Sequence, residues 1–345
     1  RPGVVISGVR EMKGESVKGK PKVLVTREVF DETLEYLREH CEVDANQGDV
    51  ALTGEALAAR AADKEAIVCS LTDRIDAALI ERCPGLRVVA NIAVGYNNID
   101  VPACTARRIM ATNTPGVLDD STADLAWTLM LGAARRITEV ERYIRNGDWK
   151  GWRLKQWLGV DVHHATLGII GMGRIGQAIA RRAAGFDMRV LYHNRNRVAE
   201  GIEAKLNASR VSLDELLRQS DFVVLQVPYS PDTHHLIGAA ELSKMKPTAI
   251  LINSTRGGVV DDDALVAALK NGTIRAAGLD VFENEPKLNP LFLELDNVVL
   301  APHVGSSTEA TRRAMAMTAA KNAVAALGGA KPPNLINPDA VTSKT

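Results

Sequence analysis

The run Gly171-Met172-Gly173-Arg174-Ile175-Gly176 constrains this chain more than any other feature. It follows a strand-like apolar stretch, Leu167-Gly168-Ile169-Ile170, and opens a helical one from Gln177 to Ala184. A strand, a GxGxxG turn and a helix in that order are the fingerprint of a dinucleotide-binding βαβ unit. The first glycine permits the tight turn, the second lets the backbone approach a pyrophosphate, and the third allows close packing of helix on strand. The helix N-terminus then faces the anion. About half of the 345 residues precede the turn, so a unit of domain size stands in front of it.

A chain of this length accommodates two domains, each burying its own core. Hydrophobic residues at 46% and charged residues at 24% are ordinary for a soluble globular protein. Lysine plus arginine equals aspartate plus glutamate at 42 each, so no basic surplus points to nucleic acid. No apolar run reaches membrane-spanning length. The cysteines Cys41, Cys69, Cys83 and Cys104 have no CxxC spacing, which predicts reduced thiols in a cytoplasmic protein. The histidine pairs His163-His164 and His234-His235 are sequence neighbours, and neighbours seldom ligate one metal together. With no HxxxH motif and no Cys/His cluster, no metal is expected. Residues 1–20 lack periodicity and read as a loose arm or a start-site artefact, since Met12 could equally be the initiator.

From Lys22 onward, short apolar runs alternate with amphipathic segments. Strands are predicted at Val23 to Val25, Ala66 to Cys69, Val88 to Ala90 and Ile109 to Ala111. Helices are predicted at Glu28 to Glu39, Gly54 to Ala62, Asp76 to Arg82 and Pro102 to Arg107. Alternation of this kind implies an α/β fold with a parallel sheet covered on both faces, whose ligands sit at the carboxyl ends of strands. Two loops fall there, Ser70 to Asp73 and Ala93 to Asn98, the second with Gly95 open to close backbone approach. Asn113-Thr114-Pro115-Gly116 then marks a boundary. Ser121 or Thr122 could cap a long helix from Ala123 to Asn146 that Gly147 closes. Trp149, Trp152 and Trp157 follow, a cluster suited to an interface, a substrate lid or plain core packing.

Behind the glycine turn, strands are predicted at Met188 to Tyr192, Phe222 to Val227, Ala249 to Asn253, Ala276 to Val281 and Val298 to Leu300. With the strand at Leu167 they make six, the number of a doubly wound dinucleotide domain. An NAD site usually ends its second strand on Asp or Glu, which holds the ribose hydroxyls. This chain reads Tyr192-His193-Asn194-Arg195-Asn196-Arg197, without a carboxylate. Arg195 can grip a 2′-phosphate bidentately, so NADP(H) is favoured, with NAD(H) possible.

Three chemical groups end later strands. Arg256 follows Ile250 to Asn253, Glu285 follows Leu279-Asp280-Val281, and His303 follows Val298 to Leu300. Beside a nicotinamide they suit carbonyl reduction. Arg256 binds a substrate carboxylate and polarises the carbonyl. His303 donates the proton, and Glu285 orients and charges the imidazole.

On these residues the chain resembles the D-isomer-specific 2-hydroxyacid dehydrogenases, from about Lys22 to Pro338. The matching pieces are Val94-Gly95-Tyr96-Asn97-Asn98-Ile99-Asp100, the glycine loop, Asn253 to Asp261, Asp280 to Pro286, and Pro302-His303. Asp161-Val162-His163-His164 and the segment from Asn334 to Pro338 resemble the glyoxylate/hydroxypyruvate reductase B branch, also called 2-ketogluconate or 2-ketoaldonate reductases. The resemblance implies two doubly wound parallel-sheet domains, Rossmann-like and flavodoxin-like, with a cleft between them. The substrate-binding domain would be discontinuous, residues 21–119 plus 308–338, and the dinucleotide-binding domain would span 120–307.

It also implies the catalytic trio Arg256, Glu285 and His303, and substrate contacts from Leu71, the amides of Val94 and Gly95, and Arg256. Cofactor contacts fall on Gly171, Gly173, Arg174, Ile175, Gly176, Asn194, Arg195, Asn196, Pro228, Thr122 and Asp280. A homodimer is implied, built on the helix after Thr122 and the tryptophan loop, with no nucleic-acid or membrane partner. Asn97 and Asp124 depart from the family, where many members carry Asp and Glu. Formate dehydrogenases share the fold but lack the Glu of the trio. The expected activity is NADPH-preferring reduction of glyoxylate, hydroxypyruvate or 2-ketogluconate to D-2-hydroxyacids. The rival from another class is a nucleotide-sensing scaffold resembling the co-repressors of this fold, some of which retain the trio.

Overall fold

The computed structural model describes residues 19–341. The arm expected over residues 1–20 lies outside the described residues for its first eighteen positions. Two parallel sheets organise the rest. The first contains β1 (Lys22–Val25), β2 (Glu42–Ala45), β3 (Ala66–Cys69), β4 (Val88–Asn91) and β5 (Met110–Thr112), in the order β2-β1-β3-β4-β5. The second contains β6 (Thr166–Ile170), β7 (Arg189–His193), β8 (Ala208–Arg210), β9 (Phe222–Leu225), β10 (Ile250–Asn253), β11 (Ala276–Leu279) and β12 (Val298–Leu300), in the order β12-β11-β10-β9-β6-β7-β8. In each sheet the order reverses once, between β1 and β3 and between β6 and β9. Such reversal points open a crevice at the carboxyl ends of the strands.

Period-two alternation makes both faces of each sheet apolar. In the first, Val23, Val25, Val68 and Val88 face one cluster while Leu24, Ile67 and Val89 face another. The helix Glu309–Leu327 roofs the former with a stripe of small residues, Ala316, Ala319, Ala320 and Ala323. The chain thus returns to the sheet it began with. Asn322 fastens this return, donating to Asn113 O at 3.1 Å and to Asn334 Oδ1 at 3.2 Å. In the second sheet, Leu167, Ile169, Val224 and Ile252 pack under helices Asp119–Ala134 and Arg174–Ala183. Val223, Leu225 and Leu251 face the opposite cluster with Leu216 and Leu265.

Three local expectations are corrected. β2 and β8 are additional strands, making seven in the second sheet rather than six. Both are edge strands, Glu-Val-Asp-Ala and Ala-Ser-Arg, partly solvated and therefore without an apolar run. The long helix from Ala123 to Asn146 is two helices, Asp119–Ala134 and Ile137–Arg145, broken where Arg136 takes φ +56°. There Arg136 pairs with Glu139 and lies 5.0 Å over the Trp157 ring, so a tertiary contact overrides helical continuity. Ser121 and Thr122 do not cap the first helix: it starts at Asp119, and they lie in its first turn. Gly147, at φ +74°, does close the second helix, with its N–H on Ile144 O at 3.0 Å.

The third glycine of the turn shows how tightly helix and strand meet. A Cβ on Gly176 would stand 2.2 Å from Gly171 O, a backbone atom that cannot rotate away. Gly176→Ala is expected to cost about 1–3 kcal/mol by overpacking, measured as a lower midpoint in chemical denaturation. An unchanged midpoint would refute so close a packing.

Candidate active site

The glycine turn follows β6 at the reversal point, and each glycine meets a different constraint. Gly171 has φ +105°, and a Cβ there would stand 2.3 Å from Gln226 O, on the loop after β9. A Cβ on Gly173 would meet nothing within 4 Å, so the backbone is open there. Gly173 also occupies the N-cap of the helix Arg174–Ala183 without a side-chain cap. Among the described residues the N–H groups of that first turn have no side-chain cap and offer an anion site. This is the cradle that a dinucleotide pyrophosphate requires, so the residues fit the group. Ile175 is half-buried against the core. The exposed Arg174 pairs with Asp119 at 2.7 Å.

At the end of β7, Asn194 Oδ1 accepts from Met172 N–H at 2.7 Å and so braces the glycine turn. Arg195 and Asn196 are exposed, and the Arg195 guanidinium has no ion-pair partner among the described residues. Arg197 differs: it is paired at 2.6 Å with Glu203, which also accepts from Tyr192 Oη. Arg197 first, and Tyr192 second, hold the Glu203 carboxyl below its ordinary range. Glu203, close to this strand end, is thereby paired. Arg210, which sequence reasoning missed on β8, donates to Asn194 O at 3.0 Å and Arg195 O at 2.8 Å. Arg195, Arg197 and Arg210 thus gather at this edge, with Glu203 and Glu215 beside them. Pro228 is exposed on the loop after β9, its carbonyl accepting from Thr233 Oγ1 at 2.7 Å.

The reactive groups converge at the ends of β10, β11 and β12. Asn253 turns the chain after β10, its Oδ1 accepting from Thr255 N–H and its Nδ2 donating to Arg256 O. Gly257 is wedged against the next loop, where a Cβ would stand 1.8 Å from Phe282 O. Only glycine lets the Arg256 and Glu285 segments lie side by side. Glu285 Oε1 accepts from Phe282 N–H at 2.9 Å, and Oε2 faces His303 Nδ1 at 2.8 Å. Burial tends to raise the Glu285 carboxyl, but His303, the Phe282 N–H and the Arg256 charge together bring it below its ordinary value. Glu285 is therefore anionic at neutral pH. His303 sits at φ +55°, its N–H on Asp280 O at 2.8 Å, and Nε2 has no partner among the described residues.

Asp280 is buried, and its two oxygens accept from Val304 N–H at 2.7 Å and Gly305 N–H at 2.9 Å. Burial raises its pKa, against these bonds and the His303 charge. Its carboxylate holds the loop that carries His303. Gly305 lies close to Thr122 as well, whose methyl a Cβ would meet at 3.4 Å, so Thr122 shares this corner. Arg312, in the first turn of the returning helix, was also missed. Burial lowers its pKa, while attraction to Asp280 opposes the shift.

Across the cleft, the first sheet supplies the Ser70–Asp73 and Ala93–Asn98 loops. Arg256 spans the gap. Its Nε donates to Asn97 Oδ1 at 3.3 Å and its Nη1 to Thr255 O at 2.8 Å. A Cβ on Gly95 would stand 2.3 Å from Nη2, so the guanidinium lies flush on the glycine. Burial lowers its pKa, opposed by Glu285, and at neutral pH it stays cationic. The N–H groups of Val94 and Gly95 donate to no acceptor among the described residues and remain available to a ligand. The Leu71 turn is tied to this loop by a network that sequence reasoning missed. Asn91 Nδ2 donates to Gly95 O at 2.9 Å, Asn98 Nδ2 to Ser70 O and Asp73 O at 3.1 Å each, and Thr26 Oγ1 to the buried Asp73 at 2.6 Å. Asn97 and Asn98 stood in the quoted loop, but nothing in the sequence names their partners.

Comparison with known proteins adds an independent line. A family model described as "D-isomer specific 2-hydroxyacid dehydrogenase, NAD binding domain" matches residues 127–305. A glyoxylate reductase from Thermococcus onnurineus is 49% identical over 322 residues, 92% of this chain and 96% of the relative. One from Korarchaeum cryptofilum is 50% identical over 325 residues, 93% and 97% of the two chains. The solved structure of an NADPH-dependent glyoxylate/hydroxypyruvate reductase from Sinorhizobium meliloti, in complex with NADP and malonate, superposes with a TM-score of 0.84 at 34% identity. It covers 95% of this chain and 99% of that one. A glyoxylate reductase from Paecilomyes thermophila gives a TM-score of 0.84 at 34% identity, covering 92% and 99%.

Proposed function

The chain belongs to the D-isomer specific 2-hydroxyacid dehydrogenase family, and we propose that it reduces small 2-oxoacids (glyoxylate, hydroxypyruvate, 2-ketogluconate) to D-2-hydroxyacids, with NADPH as the preferred reductant. The observation that carries this reading is the 2.8 Å contact between His303 Nδ1 and Glu285, at strand ends flanking Arg256. The reduced nicotinamide, when bound, supplies the hydride to the carbonyl carbon. Arg256 holds the substrate carboxylate on one side, and the free N–H groups of Val94 and Gly95 hold it on the other. With Nδ1 on Glu285, His303 presents Nε2–H to the carbonyl oxygen and gives it the proton. Glu285 fixes the orientation of the ring from which that proton leaves. Arg256 favours the negative charge that builds on the oxygen as the carbon is reduced.

The decisive assay follows cofactor absorbance with glyoxylate, hydroxypyruvate and 2-ketogluconate, each with NADPH and NADH. Oxidation of neither cofactor with any substrate would favour the nucleotide-sensing scaffold and sink the enzyme reading. The unpaired Arg195, braced by Arg210, supports the NADPH preference. Arg195→Ala is expected to raise the KM for NADPH about 10–100-fold, the loss of a charge-assisted contact worth about 1.5–3 kcal/mol, with little change for NADH. Equal effects on both cofactors would overturn that assignment. The four described cysteines are free and buried, which fits a reducing, cytoplasmic setting. Among the described residues no helix is long and apolar enough to cross a membrane.

A homodimer is part of the same proposal. Trp157 packs on Tyr143 and Arg136, but Trp152 is 78% exposed and Trp149 61%, beside the exposed Ile144. A contiguous apolar patch of this kind marks an interface. Trp152→Glu is expected to weaken association by about 2 kcal/mol or more, seen as a shift toward monomer in sedimentation. A dimer of unchanged affinity would place the interface elsewhere.

A further inference from the structure

We propose that His234, His235 and Glu283 form a binding site for a borderline divalent transition metal at the carboxyl edge of the second sheet, outside the Arg256–Glu285–His303 trio. One donor atom from each of the three lies within 4.8 Å of the others. Two imidazoles and a carboxylate are the ligand set that zinc, nickel and copper favour over magnesium or calcium. Sequence adjacency argued against a histidine pair sharing one ion. The backbone brings the two rings together: His235 adopts φ +50°, its ring 3.9 Å from that of His234 and nearly parallel to it, so His234 must rotate for both nitrogens to aim at one ion.

The surroundings favour the same use. His235 Nε2 lies 2.6 Å from Glu283 Oε1, while its Nδ1 faces Asp261 Oδ2 at 3.8 Å. The Asp261 carboxylate stands at ion-pair rather than hydrogen-bond distance, and its negative charge favours a cation at the site. The His235 N–H is anchored on Gly258 O at 2.8 Å. Gly258 itself has φ +79°, and a Cβ there would meet Tyr229 at 2.9 Å and both Glu283 Oε1 and His234 Nδ1 at 3.6 Å. Glycine therefore keeps clear the space between the donors. His234 is exposed, with Tyr229 Oη 3.3 Å from its Nδ1, and its ring can turn toward the ion. Metal entry replaces the proton between His235 and Glu283, which leaves to solvent. Water completes the coordination, as three protein ligands leave a fourth position open. The bound ion joins the segment after β9 to the segment after β11, two residues before Glu285.

The competing account is a plain His235–Glu283 ion pair in which His234 takes no part. Tag-free protein freed of metal by chelator is titrated with ZnCl2 in a calorimeter and with CoCl2 in a visible spectrometer. Saturable uptake is expected, with cobalt absorption bands of imidazole coordination. His234→Ala and Glu283→Gln should each weaken zinc at least about tenfold. His234 is exposed, so its variant folds even if the other does not. No saturable uptake, or uptake of unchanged affinity in His234→Ala, overturns the proposal and leaves the ion pair.

Discussion

Replacing His303 with alanine is expected to lower turnover by about 10²–10⁴-fold, the usual loss when a positioned general acid is removed. Cofactor affinity should stay near that of the parent. The side chain is placed by three independent constraints. Its backbone N–H is on Asp280 O, the two following N–H groups are on the Asp280 carboxylate, and Nδ1 is on Glu285. None of these holds the glycine turn, so truncating the imidazole removes a proton donor without disturbing the cradle at Gly173. Stopped-flow turnover with glyoxylate, paired with fluorescence titration of NADPH, separates the two effects. Turnover within a few-fold of the parent would remove His303 from the proton-transfer step. Loss of NADPH binding would show that its role is structural.

Arg256→Lys should lower kcat/KM by about 10²–10³-fold, a loss comparable to removing one donor aimed at a developing oxyanion. The charge is retained, so a purely Coulombic role would predict almost no effect. The guanidinium is planar and lies on Gly95, with Nε toward Asn97 and Nη1 on Thr255 O. A lysine ammonium is a compact point charge that cannot reproduce those directions and still reach a carboxylate bidentately. Gly95→Ala probes the same geometry from the opposite loop, since its methyl would intrude on the guanidinium. It should reduce kcat/KM in the same direction while leaving His303 intact. Near-parental efficiency in Arg256→Lys would show that charge alone suffices.

Much of this was legible in the sequence because it depends on local rules. Gly171 and Gly176 announce themselves, since a turn of that kind tolerates nothing else. Buried parallel strands such as Ala66–Cys69 and Ile250–Asn253 are continuous apolar runs. Arg256, Glu285 and His303 could be placed because each follows such a strand. The strands β2 and β8 were illegible because a sheet edge is half-solvated and carries no apolar signature. The break at Arg136 was illegible because Trp157, twenty-one residues later, stabilises it. The Asn91–Asn98–Asp73 network and the meeting of His234, His235 and Glu283 depend on which loops the sheet brings together, and no spacing rule encodes that. Asp280 stood at a position with an expected cofactor role, while its hydrogen bonds show it bracing the His303 loop.

The hydrogen bond from Arg256 to Asn97 joins the two sheets' loops across the cleft. Arg256 belongs to one body and its bracket, Gly95 and Asn97, to the other. The anion receptor therefore exists only while the bodies are together. Neither sheet's loops alone present the whole bracket around the guanidinium. The arrangement is thus an interlock: each sheet supplies a part that is incomplete without the other.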